Sequence, residues 1–494
     1  LSPEVHSVDG RPPEFREKVK EKFVVQSAET KEKSLALVAS ELKDVRAIDA
    51  NGKPSSAYES LMTDKTLSDR QKQNILDNMS EIREHFASYR VGDRMHPDPE
   101  VNWIHTQGEM AKVLEVGRKA GLKPDELEDA LLASMYSDSV KFAFPPPKGA
   151  EANFFTHHLD GALAAHEALT RNGFPPERVD RIVQAIKEHQ IAPPEFMGNL
   201  YLNFKVKPGL DDLLKKGTIT AERHAELAAV LKDMTVVGED GVSRLKPIAQ
   251  VNEWPKVRNA DGSWEVALTP DQRELFKLAG IEHWSTPVNP VETPGFKQLS
   301  KVEQEALVSK YKIASTLIDG DGVDNYATLG GASKIVAIRG PGTFFKDGNI
   351  WQSIDSIDAS FKDTYSVLSP KGREVADASL AQRNAMLHDE KSGIKAQMNE
   401  WLQSKGLKPE DVVYFQKDGA LKYPRPLDDA ATLRVSEINA LLKDNKTSAS
   451  EIASLNSELR TLKHRGMNEE EIRQLELAVE VREKMVDLLR SGHR

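Results

Sequence analysis

At 494 residues the chain is too long for one compact core, and its length predicts roughly two to four structural units. A hydrophobic content of 39% with 29% charged residues excludes pervasive disorder, and a formal net charge of -10 argues against a nucleic-acid duplex as the main partner, which would call for a basic surface. Cysteine is absent, which excludes disulfides, thiolate nucleophiles and Cys-ligated metal sites, so any metal must rest on His, Asp and Glu.

No apolar run approaches the ~18 residues of a membrane span. The chain opens Leu1-Ser2-Pro3 rather than with Met, so a removed leader is one explanation of its start. The expectation is a soluble protein, with cytoplasmic and exported locations both open.

In chain order, residues 1–95 read as an N-terminal helical region. Ser68 followed by Gln71 is a capping-box pair, and Ile75, Met79, Ile82 and Phe86 then recur at helical spacing. The stretch Met95-His96-Pro97-Asp98-Pro99 marks a boundary. From about 100 to 192 the pattern predicts four helices, broken at Gly121-Leu122-Lys123-Pro124, at Pro145-Pro146-Pro147-Lys148-Gly149 and at Gly173-Phe174-Pro175-Pro176.

Residues 193–298, rich in Pro, Gly and Trp, read as an insertion or lid. Within it Val257 and Trp264-Glu265-Val266 flank a turn as a small hairpin, and Thr269-Pro270-Asp271-Gln272 starts a further helix. Helical pattern resumes at Lys301 and runs through Asp324, and residues 330–347 read as a series of Gly-containing turns. The domain expected over 96–350 is followed by a connecting region, 351–426, and by a C-terminal helical hairpin, 427–494, turning near Gly466. Such a hairpin suits packing or a homo-oligomer interface. The fold class expected is mainly α, a helical bundle with a small mixed α/β insertion and that hairpin.

The chemistry sits in polar residues embedded in apolar helices: His105, Asp138, the pair His157-His158, His189, and Asp319-Gly320-Asp321. Burying an ionised carboxylate or an unpaired imidazole among aliphatic residues is costly unless a partner or a metal compensates. Several such residues are explained together if they converge, and imidazole with carboxylate suits one or two divalent ions, Mn, Fe, Mg or Zn. A second cluster, Lys334 with Arg339-Gly340-Pro341-Gly342, reads either as an anion-binding loop or as an ordinary turn.

The order of these residues resembles the HD-domain phosphohydrolase superfamily over roughly residues 100–192 and 300–325. That pattern is a His, a His-Asp doublet in the phrase Leu-Leu-x-x-x-x-His-Asp-x-x-Lys, one or two further His, and a closing Asp. His105 matches the first position, Asp138 the Asp of the doublet after Leu131-Leu132, and Lys141 the Lys. His157, four residues before Gly161, matches the next ligand with His158 competing, then His189, then Asp321 in preference to Asp319.

Where the doublet has His, this chain has Ser137. Three outcomes follow for that position: a water in the gap, a substitute carboxylate such as Asp160 or Asp319, or a site that binds without catalysing. The resemblance implies a HD-type bundle and metals held by His105, Asp138, His157, His189 and Asp321. It also implies catalysis through Asp138 and Lys141, and a small phosphate-containing substrate met by Lys141, His158, Lys334 and Arg339. The activity implied is a metal-dependent hydrolase of a phosphate ester or nucleotide. A di-iron oxygenase and a non-catalytic ligand-binding scaffold are the alternatives.

Overall fold

The computed structural model describes residues 27–88, 99–140, 157–189, 207–237, 243–245, 256–258, 264–266, 269–278, 299–338, 351, 354–355, 357–358, 361, 364–365, 368–408, 429–443 and 448–493. Among these the protein is mainly helical, with three separate two-stranded antiparallel sheets. It divides into two compact units. The first comprises residues 1–335, 357–387 and 489–494, and the second 336–356 and 388–488. No described helix is long and apolar enough to cross a membrane.

The first unit begins with α1 (Ala28–Asp44), the hairpin β1 (Arg46–Ile48) and β2 (Pro54–Ser56), and α2 (Ala57–Met62). The hairpin departs from the all-helical reading of residues 1–95. Its cause is local: Asp49 accepts from the Asn51 and Lys53 amides at 2.8 and 2.9 Å, and Gly52 takes a positive φ of 77°, so a turn outcompetes helix. Arg118 ties it down by donating to Asp64 at 2.5 Å, the Ile48 carbonyl at 3.2 Å and Ser60 Oγ at 2.9 Å.

α3 (Asp69–Ser88) starts at the predicted reciprocal cap, with the Ser68 amide donating to Gln71 Oε1 at 3.0 Å and the Gln71 amide to Ser68 Oγ at 3.3 Å. Its stripe Ile75, Met79, Ile82 and Phe86 is buried. The four helices predicted next are α4 (Pro99–Lys119), α5 (Pro124–Ser137), α6 (His157–Arg171) and α7 (Pro176–Glu188). Gly121 and Gly173, both at positive φ, stand at two of the predicted breaks; the Pro145–Pro147 break and the 95–98 boundary lie outside the described residues.

α5 is buried from Glu126 to Ser137, including Glu128 and Asp129. Those two carboxylates are met from α7: Arg178 reaches Asp129 at 2.5 Å and Glu128 at 2.9 Å, and Arg181 reaches Asp129 at 2.6 Å. Burial raises the Asp129 pKa even so, because the guanidiniums offset only part of the desolvation.

In the 193–298 stretch the structure places α8 (Lys207–Lys215), α9 (Ala221–Asp233), β3 (Thr235–Val237) paired with β4 (Ser243–Leu245), and β5 (Lys256–Arg258) paired with β6 (Trp264–Val266). The last pair is the expected hairpin, with Val257 opposite Glu265. α10 (Pro270–Leu278) follows the expected cap, Thr269 and Gln272 exchanging bonds of 2.9 and 3.2 Å.

α11 (Lys301–Ala327) is the long central helix, packed on α4, α5 and α7. Glycines set how closely α4 and α11 approach: a Cβ on Gly320 would lie 3.0 Å from the Val113 amide nitrogen, and one on Gly108 would collide with the Asp324 carboxylate.

The segment read as Gly-containing turns instead begins with α12 (Leu329–Ile338). Thr328 caps it, accepting from the Gly331 amide at 3.0 Å, and a Cβ on Gly331 would strike the Asp324 carbonyl. Glycine there serves close packing of a helix rather than a turn. α13 (Pro370–His388) belongs to the same unit.

The second unit carries α14 (Ile394–Ser404), α15 (Asp429–Lys443), α16 (Ala449–Lys463) and most of α17 (Glu469–His493). After α16 the chain turns back through Gly466 at φ 78°, so that Arg460 reaches Glu469 and Glu476, both at 3.2 Å. Leu433, Leu441 and Ile452 on α15 and α16 are exposed.

Candidate metal centre

Five helices of the first unit bring the site together. α4 presents His105 and, one turn on, Glu109; α5 ends on Asp138; α6 starts at His157; α7 ends on His189; α11 carries Asp321 and Asp324. Two of the candidate ligand residues, Asp138 and His189, are therefore helix C-caps, where the backbone leaves its helix.

The side chains form two adjoining groups. In one, His157, His189 and an oxygen of Asp138 converge; in the other, His105, Glu109 and Asp321 do, and in each the ligand atoms lie within 4.8 Å of one another. Asp138 faces both: Oδ1 is 3.4 Å from His157 Nε2, and Oδ2 is 3.5 Å from His105 Nε2. His105 Nε2 also lies 3.1 Å from Asp321 Oδ1 and 3.4 Å from Glu109 Oε2. These spacings are close to the ~3 Å edge of an octahedron with metal–ligand bonds of about 2.1 Å.

The tautomers favour a cation. His105 Nδ1 sits 2.7 Å from Asp324 Oδ2, a carboxylate that can only accept, so Nδ1 carries hydrogen there. His189 Nδ1 likewise faces the Ile186 carbonyl at 2.5 Å. In the neutral rings the Nε2 lone pairs then point into the groups, and that of His105 meets carboxylate oxygens. Such an arrangement is satisfied by an imidazolium or by a metal ion. Thr328 in turn donates to Asp324 Oδ1 at 2.9 Å, and Asn325 to Asp321 at 2.7 Å.

Charge points the same way. Glu109, Asp138, Asp321 and Asp324 supply four carboxylates, and among the described residues Lys334 is a cation placed with them, its Nζ 3.0 Å from Asp138 Oδ2. Burial and the neighbouring Asp321 and Asp138 push the Glu109 carboxyl well above its usual range. Burial and Lys334 oppose protonation of His105, yet its hydrogen bonds to Asp321 and Asp324 prevail and raise its pKa. Burial opposes the charge on Asp321, but its bond to His105 holds its pKa below the usual value. A dication would relieve the crowding. The Asp321 side chain, 23% exposed, is the most open member of the two groups.

All five expected ligands, His105, Asp138, His157, His189 and Asp321, thus meet in one place. His158 is buried with its ring 6.0 Å from that of His157 but belongs to neither group. Lys334 is present as the partner of Asp138, on a helix rather than an anion-binding loop. Lys141 and Arg339 lie outside the described residues.

Glu109, absent from the expected set, is the carboxylate nearest the Ser137 gap. Ser137 Oγ lies 3.3 and 3.4 Å from its two oxygens, while its 2.8 Å bond goes to the Ser134 carbonyl. Neither substitute named from the sequence is there. Asp160 is in neither group, and Asp319 accepts from the Ser369 amide at 2.8 Å at the start of α13, its pKa raised by burial to about 6. The spacing of four between His105 and Glu109, one helical turn, was the available signal.

Asp324 is placed to orient the His105 ring, its Oδ2 2.7 Å from Nδ1. Asp324→Asn is expected to weaken metal uptake by about 10–100-fold with the fold retained, measured by calorimetric titration. Gly161 matters in another way: a Cβ there would lie 2.5 Å from the Tyr136 and Ser137 carbonyls, so Gly161→Ala must push α6, and His157 with it, away from Asp138. Loss of metal at the His157 group, with far-UV helicity kept, is the expected result; unchanged affinity would refute it.

Fold and site together define a mainly helical protein with buried His, Asp and Glu groups that could hold a metal ion. Comparison of the chain with family models, with curated proteins and with solved structures gives no match.

Proposed function

We propose that this chain is a metal-dependent hydrolase of a phosphate ester or nucleotide, of the HD-domain kind, working with divalent ions such as Mn, Fe, Mg or Zn. The observation that carries the reading is Asp138, whose two oxygens face separate His-containing groups, as a carboxylate shared by two ions would. Ions held there would polarise a phosphoryl oxygen and make water a nucleophile near neutral pH.

The protein's own part is positional. Asp324 and Ile186 fix the rings of His105 and His189, and Asp138 links the two groups. Lys334 offsets part of the acidic charge, which otherwise repels a phosphate. On this reading substrate would approach from the side of Asp321, the most open member of the two groups.

The test is elemental analysis of purified protein followed by a panel of p-nitrophenyl phosphate esters and nucleotides with manganese added. Metal uptake with hydrolysis of at least one phosphate ester is the expected result. Loaded protein that cleaves none of them overturns the reading, and turnover without any metal overturns it equally.

A further inference from the structure

The two halves of the centre are chemically unequal. The group around His157 and His189 offers two imidazole nitrogens and one carboxylate. The group around His105 offers one nitrogen, the carboxylates of Glu109 and Asp321, and the second oxygen of Asp138 within 3.5 Å of the ring. Both Glu109 and His105 are fully buried, so this oxygen-rich set is built into the packing of α4 against α11 and not a patch of solvated surface acids.

The pinned tautomer of His105 is an independent sign that this half takes a cation. Its Nδ1 is committed to Asp324, and its Nε2 faces oxygens from three carboxylates.

From this geometry we infer that the centre is a mixed one: Glu109 is a metal ligand that makes the His105 half a site for a hard, oxygen-preferring divalent ion such as Mn2+, while the His157 half holds a nitrogen-preferring ion such as Zn2+. The physical basis is ligand softness. Carboxylate and water suit Mg and Mn, whereas imidazole suits Zn, Fe and Cu. Because zinc binds most sites more tightly than manganese, the difference shows as exchangeability, not as exclusion. Manganese competes at the oxygen-rich half and fails at the nitrogen-rich half. The inference rests on the metal-centre part of the proposed function and is independent of any hydrolytic activity.

The experiment uses the full chain, stripped with a chelator and titrated with Zn2+, then challenged with excess Mn2+, with both metals counted per chain after gel filtration. The expected result is two zinc ions, of which manganese displaces one. Displacement of both, or of neither, overturns the inference.

Glu109→Gln keeps the side chain's volume while removing its charge. It is expected to weaken the exchangeable ion by about 100-fold, the upper part of the range seen even for residues that only support ligands, and to leave the other ion unchanged. Glu109→His is expected to bind two zinc ions that both resist manganese. Wild-type behaviour in both variants, with circular dichroism confirming the fold, removes Glu109 from the ligand set and the inference with it. A wild-type protein that shows the split but hydrolyses no phosphate ester would sink the proposed function and leave this inference standing.

Discussion

Asp138→Ala protein is expected to take up neither ion and to lose all turnover that depends on them. Each oxygen of this carboxylate faces a different half of the proposed centre, so one substitution removes a candidate ligand from both. The variant also has a structural cost. Lys334, with its side chain 3% exposed, loses the carboxylate 3.0 Å away; breaking a buried pair costs about 3–5 kcal/mol, of which attraction to Glu109 and Asp321 recovers part.

An opposing effect is the relief of repulsion among acids. It is the smaller one in metal-free protein, because the Glu109 carboxyl already has its pKa raised well above the usual range and is the readier to be neutral. The net result is a lowered Tm. Adding Lys334→Met should recover most of that stability and none of the metal binding, so the two roles of Asp138 separate in one pair of measurements. Tight binding of two ions by Asp138→Ala would show that the halves do not share this residue.

The largest purely structural effect is expected at Asp129. This fully buried carboxylate receives two guanidiniums from α7, Arg178 at 2.5 Å and Arg181 at 2.6 Å. Asp129→Ala removes the carboxylate that both guanidiniums share, leaving Glu128 to Arg178, and the loss is expected to be about 3–5 kcal/mol. For a folded unit of this size that is a fall in Tm of roughly 5 °C.

The consequence reaches the metal centre, because α7 ends on His189, and the salt bridges anchor its opposite end to α5. Zinc affinity at the His157 and His189 group should therefore fall, while the His105 group, held by α4 and α11, is spared. Asp129→Asn keeps one acceptor oxygen and sets its amide N–H2, itself a donor, against the other guanidinium, so it should fall between the wild type and Ala. Calorimetry of the three proteins checks the order, and an Ala variant within 1 kcal/mol of wild type, on the order of thermal energy, would mean that the network is not a support.

Much of this was legible before any coordinates. The 3.6-residue recurrence of Ile75, Met79, Ile82 and Phe86, the caps at Ser68 and Thr269, and the breaks at Gly121 and Gly173 are set by local physics, and each stands where the pattern puts it. The β1–β2 hairpin was missed because a three-residue strand carries too little periodicity to register; its only signal was the Asn51-Gly52 turn. α12 was read as turns because glycine is ambiguous: Gly331 costs a helix some stability, but here its missing side chain is what lets the helix pack against Asp324.

By itself, then, the sequence determined the helical class, the helix ends, and the ordered series of His and Asp residues that could not rest in apolar helices unpartnered. Only the tertiary structure decided which carboxylates join them. Asp319 and Asp321 are two residues apart, and α11 turns one to the start of α13 and the other to His105. Glu109 looks like an ordinary charged helix residue, and Lys334 like part of a turn or an anion-binding loop, until α4, α5, α11 and α12 close around Asp138. Local pattern sets which face of a helix is buried, whereas ligation requires atoms from distant segments to come within a few ångströms, and that is set by side-chain volumes at the crossings, above all at Gly108 and Gly320.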